Sequence, residues 1–187
     1  MTGHGHVDHS GENKRVALLI AVLALLLALA ETGAKSAQTE ALSRNVEASN
    51  LWAFFQARTI RQTTLRTAAE AAALLPEAAD DARRAAATRQ VGAWQATAQR
   101  YESEPSTGEG RRELAERAKA AERVRDRSMA AYHMYEYGSA AFQVAIVIAS
   151  ASIVTGVPLL AIGGALLGGL GIVLAGLGFL APELIHF

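Results

Sequence analysis

Cysteine is missing from this chain, and aromatic residues make up only 6% of it. The first absence excludes disulfides, thiolate metal sites and cysteine nucleophiles, and leaves the redox compartment open. An excess of either charge is missing too: 18 Lys and Arg balance 18 Asp and Glu, so the summed charge gives no electrostatic footprint for nucleic acid. There is no Gly-rich phosphate loop after a strand, no Ser, His and Asp set in a recognisable context and no HExxH pair. The chain is therefore not read as an enzyme, and no cofactor is implied. Charge itself is absent from three long stretches, residues 16–30, 140–155 and 159–181. Uncharged apolar stretches of about this length are what a bilayer selects for.

What is present is Ala, Leu, Ile, Val and Gly, bringing hydrophobic residues to 51%. Residues 1–15 are polar, Gly- and His-bearing and without hydrophobic periodicity, which reads as a disordered tail ending in Lys14 and Arg15. The run 16–30 is uniformly apolar, and Thr32, Gly33 and Ala34 extend it to a first span over 16–34. A cleavable secretory signal is the competing reading, since Lys14 and Arg15, the apolar run and Ala28-Leu29-Ala30 stand in the right order. No polar stretch separates the run from that site, and the residues beyond it continue as helix.

Residues 35–138 read as a helical domain outside the bilayer. Leu51, Phe55, Leu65, Ala69 and Ala72 lie near one stripe of a helix that Pro76 ends. Glu77, Asp80 and Asp81 then suit the first turn of a second helix, where acidic groups complement the helix dipole. Pro105, Gly108 and Gly110 mark a loop over 104–110. In the next helix Leu114, Ala118, Ala121, Val124 or Arg125, Ser128, Ala131 or Tyr132, and Tyr135 keep the three-four alternation of a coiled-coil seam. Trp52, Phe54, Phe55, Trp94 and Tyr101 are expected to fill the interior of this Ala-rich hairpin. The chain must leave the bilayer and return over similar distances, which a turn at Pro76 followed by a broken descending arm satisfies.

Two more spans, 139–157 and 159–181, form a hairpin about Gly156-Val157-Pro158. In the first of them Ala141, Ala145, Ala149, Ser152 and Gly156 share a face; in the second, Ala161, Gly164, Gly168, Gly171, Ala175 and Gly178 do. Small residues at these spacings let helix backbones touch where lipid removes the hydrophobic drive, so both rows are candidate helix-packing faces. Gln143, with Ser150, Ser152 and Thr155, is explained by hydrogen bonding between helices, and a water-lined pathway is the sharper alternative. Tyr132, Tyr135 and Tyr137, with His133, stand where an interfacial belt would anchor the second span.

Coordination chemistry is hinted at only in the tail. Loss of the initiator Met would leave Thr2-Gly3-His4 at a free amine, a donor set suited to square-planar Cu(II) or Ni(II), with His6, Asp8 and His9 just beyond. A solvated tail with incidental His is the plainer explanation.

Residues 47–61 (EASNLWAFFQARTIR), residues 142–150 (FQVAIVIAS) and the His-bearing tail before Lys14 resemble an uncharacterised bacterial membrane-protein family catalogued only as a domain of unknown function. The likeness implies a retained first span and no activity or functional residue. The expectation is thus an all-α integral membrane protein of a bacterial inner membrane: three spans, and a helical-hairpin, coiled-coil domain more compatible with the periplasm than the cytoplasm. Its partners would be the lipid bilayer and further copies of itself or an envelope protein, with no nucleic acid. An oligomeric channel passing ions or small solutes is the alternative, and a Cu or Ni role for the tail a weaker one.

Overall fold

A computed structural model describes residues 9–74 and 80–184, and every regular element within them is helical. Four α-helices follow in order: α1 (His9–Ala73), α2 (Asp81–Glu102), α3 (Arg111–Thr155) and α4 (Pro158–Leu180), with a 3₁₀ turn over Pro182–Leu184. Three of them, α1, α3 and α4, are long and apolar enough to cross a membrane.

The boundary read between tail and first span, after Arg15, is not a helix boundary. α1 begins at His9, inside the stretch expected to be an unstructured tail, and continues without a break past residue 34. Once a helix has nucleated in an Ala- and Leu-rich run, extending it costs little per residue, so the polar residues before Val16 join it. α3 likewise passes through residue 138 uninterrupted. The expected turn at Pro76 and the acidic Glu77 lie outside the described residues. Asp80 caps α2, its carboxylate accepting from the Ala82 N–H at 2.9 Å, and Asp81 opens the first turn.

The chain divides into two compact units. Unit 1 comprises residues 1–42 and 125–187. Its core gathers Leu23 and Ala30 of α1 with Phe142 and Ala145 of α3, flanked by Leu26, Leu167 and Ala175. Much bulkier apolar surface points outward, as at Leu25, 62% exposed, and Leu166, 73% exposed. Exposed patches of this extent suit hydrocarbon rather than water.

Glycine governs how α4 packs. A Cβ on Gly164 would sit 2.9 Å from the Ala145 carbonyl oxygen and 3.1 Å from the Ala149 methyl. One on Gly171 would meet the Phe142 ring at 2.8 Å, and one on Gly178 would meet the Met134 Cβ at 3.0 Å. Gly168 lies against the Leu23 side chain of α1. Gly156 stands apart from this face: it is exposed, has φ +69° and forms the turn into α4, where Pro158 takes the first helical position.

Unit 2 comprises residues 43–124. α1 and α3 run antiparallel within it, since Gln62 pairs with Arg111 while Trp52 pairs with Glu122. Leu51, Leu114 and Ala118 are buried together, with Trp52 and Phe55 packed against them. Large apolar groups are few, so the burial stabilises less than a Leu-rich seam would.

Substitution at α4 glycines separates contact from composition. Gly164→Ala and Gly171→Ala are each expected to destabilise unit 1 by about 1–3 kcal/mol through forced displacement. Gly169→Ala and Gly176→Ala, whose added methyls meet nothing within 4 Å, should leave thermal unfolding in detergent unchanged or raise its midpoint.

Candidate functional site

The densest arrangement of polar chemistry lies inside unit 2, around a residue that hydrophobic periodicity passes over. Gln62 is 2% exposed. Its Nε2 donates to the Ala98 carbonyl at 3.0 Å and to Glu102 Oε2 at 2.9 Å, while its Oε1 accepts from the Arg111 guanidinium at 2.6 Å. The same Arg111 nitrogen donates to Glu102 Oε2 at 2.9 Å. One amide therefore engages α1, α2 and α3 together, with its donors and its acceptor all used. The Gln62 hydrogen bond, opposed by partial desolvation and helped by Arg111 and Arg112, holds the Glu102 carboxyl below its usual 4.5.

Around this node, guanidinium groups cover aromatic rings. The Arg111 guanidinium lies 4.9 Å from the centre of the Phe55 ring. Arg58 lies 5.1 Å from Phe54 and 4.9 Å from Tyr101, and pairs with Glu109. Each such stacking contributes roughly 0.5–2 kcal/mol according to its desolvation. The aromatics are thus half-covered by cations rather than sunk in an apolar interior, and Phe54 is exposed. An Ala-rich interface is too thin to enclose rings of that size. Trp52 stacks edge-on against Phe55 and donates its indole N–H to Glu122 at 2.8 Å.

The loop after α2 closes with its own polar lock. Glu113, in the first turn of α3, accepts from the Ser103 hydroxyl at 2.6 Å and from the Glu104 N–H at 3.2 Å. The Ser103 bond is the main reason its carboxyl titrates below 4.5. Gly110 is required beside it, because a Cβ there would press on the Ser103 Cα at 2.7 Å. Gly108, at φ +68°, supplies the left-handed turn.

Gln143 of α3 lies at the surface and reaches toward α1. It is exposed, and its Nε2 lies 3.5 Å from Glu31 Oε1, the outer limit of a hydrogen bond. Both border a shallow surface groove of about 330 Å³ that also takes in Lys35, Gln38, Glu136 and Ser139. The neighbouring hydroxyls do not bond between helices: Ser150 donates to the Ile146 carbonyl at 2.7 Å and Thr155 to the Ala151 carbonyl at 2.8 Å, within α3. Ser152 donates to the Val157 carbonyl at 3.0 Å, securing the turn after α3. A helix carbonyl keeps a second lone pair after accepting its backbone bond and is the nearest acceptor for a short hydroxyl side chain, which is why Ser150 and Thr155 turn back on their own helix.

In the candidate packing rows, Ala145, Ala149 and Ser152 are buried, as are Gly164, Gly168, Gly171 and Gly178, while Ala141, Ala161 and Ala175 are half-buried. Tyr135 packs its ring on Gly33, Tyr132 donates to Glu136, and Tyr137 is exposed. Thr2, Gly3, His4 and His6 lie outside the described residues; His9 is the first residue of α1. Among the described residues no three His, Asp or Glu side chains gather as a metal site would require.

With every regular element of the described residues helical and three helices long and apolar enough to span, the class is that of an all-helical protein with candidate membrane spans. The chain matches the family described as "Domain of unknown function (DUF4337)" over residues 12–181. It belongs to that family. No curated protein and no solved structure matches it.

The lowered carboxyls give unit 2 a definite acid response. A group whose folded pKa lies below its unfolded value adds stability above the unfolded value and loses it as pH falls through the folded one. Unit 2 should thus hold a constant unfolding midpoint near neutrality and lose stability as pH drops below 4.5, the usual value for Glu102 and Glu113. Glu102→Gln with Glu113→Gln should lower stability at neutral pH and flatten that acid limb, measured by helix circular dichroism across a pH series.

Proposed function

We propose that this protein is an anchored helical assembly protein of a bacterial inner membrane, whose extramembrane helices associate with further copies or with an envelope partner. The observation that carries this is the use made of its polar chemistry. Gln62, Arg58, Arg111, Glu102 and Glu113 are engaged with one another or with their own unit, so what unit 2 offers outward is helix faces. α1, α3 and α4 supply the anchor, and the family match that extends across the first apolar helix supports its retention as a span.

Lys14 and Arg15 abut the first apolar run, which favours a cytoplasmic start and a periplasmic unit 2 by the positive-inside rule. Ala34, Ala41, Ala48, Gln62 and Ala69, all buried, fall on one seven-residue grid of α1, whose remaining position, Phe55, is half-buried. That is the repeat of a coiled coil. A conduit for ions or solutes has less support, because the hydroxyls of α3 are satisfied by nearby backbone carbonyls and Gln143 lies at a surface groove.

Native mass spectrometry of the untagged chain in nanodiscs, beside flux measurements in liposomes, tests the reading. A defined oligomer without selective flux is expected. A monomer would overturn assembly, and selective flux abolished by Gln143→Leu would replace it with a conduit.

A further inference from the structure

The outer face of α1 in unit 2 carries a second seam. With Ala48, Leu51, Gln62 and Ala69 turned inward, the opposite side of the helix presents Val46, Ala53, Ile60, Thr67 and Leu74 at unbroken seven-residue steps. Ser43, Asn50, Ala57, Thr64 and Ala71 form a parallel row beside them, so the two rows alternate by three and four residues. None of these positions carries a charge. In a two-sided coiled coil such outward positions are ordinarily Lys, Glu or Arg, yet here Val46 is 59% exposed, Ile60 68% and Leu74 87%. A shallow groove runs along the same face past Ile60, Thr64 and Ala71.

We propose that this face docks the same face of a second copy, in parallel and in register. The inference rests on the assembly reading above and names its surface and partner. Three observations select a second copy. Asn50 is the one amide among the ten seam positions, and a lone Asn in a core row favours two parallel strands in a single register, where it meets its own counterpart. Flanking positions five residues apart face each other in that arrangement. Ser49 then meets Phe54, Gln56 meets Arg61 and Thr63 meets Ala68, so no like charges oppose.

Area agrees as well. The seam from residue 43 to 74 is roughly 45–50 Å long at about 1.5 Å per residue. Burying a strip about 10 Å wide on each copy removes roughly 1,000 Å² in total, the lower end for a specific interface. Copies anchored in one bilayer already share an orientation, which confers a high effective concentration on a parallel pairing of modest area.

The natural absence of cysteine makes site-directed cross-linking clean. Full-length Ala53→Cys, Ile60→Cys and Thr67→Cys variants in nanodiscs are treated with a short bismaleimide, beside Arg66→Cys, an exposed position off the seam at the same height. Covalent dimers at all three seam positions and none at the control are expected, and Ile60→Lys should abolish the cross-links at positions 53 and 67 with helix content unchanged. An oligomer by native mass that gives no seam cross-link would overturn this inference and leave assembly standing. A monomer would overturn both. In native membranes, seam adducts to a different protein would assign the face to another partner and overturn the second copy.

Discussion

The side-chain amide of Gln62, buried between α1, α2 and α3, is bonded on all sides: two donations to α2 and one acceptance from α3. Around it the helices meet largely through Ala, which allows close approach and contributes little area. In such a seam the apolar term does not choose strongly between neighbouring rotations of α1. A closed hydrogen-bond network does, because any other rotation carries the Gln62 amide away from Ala98, Glu102 and Arg111 and leaves it buried without partners. The orientation of α1 in unit 2 follows from that network, and with it the identity of the face left outward.

Unit 1 solves the same problem by another physical route. Its helices carry no comparable polar network at the core of Leu23, Ala30, Phe142 and Ala145. α4 instead brings backbone against backbone at Gly164, Gly171 and Gly178. Where the surroundings are apolar, leucine gains nothing by leaving them, and close van der Waals contact is what remains to hold helices together. The glycines are therefore specific to one face. Gly169 and Gly176, which meet nothing, face elsewhere on the same helix.

Much of this was legible in the sequence, for reasons that differ by element. The uncharged runs mark α4 and the apolar parts of α1 and α3 because desolvation forbids charge there, and Leu51, Leu114, Ala118 and Ala121 stand out as a seam because burial repeats with the helix period. Gln62 was not legible. A polar residue at a core position breaks the apolar count, and its partners lie 36 to 49 residues away on other helices. Arg58 and Arg111 were hidden for the same reason: as letters they resemble solvated surface, and only packing places them over Tyr101 and Phe55. The start of α1 was misplaced because the polar residues before Val16 extend a helix nucleated in the apolar run.

Fold and proposed role thus meet at one helix, α1, whose polar node fixes which side it turns inward and whose uncharged side remains available to a partner. The most direct measurement is a double-mutant cycle on unfolding of the full chain with Gln62→Leu and Arg111→Met. Coupling of about 0.5–3 kcal/mol is expected, each single change removing one partner of the other group and the double change costing less than their sum. Additivity of the two within about 0.5 kcal/mol would contradict the view that this node sets the register of the helices.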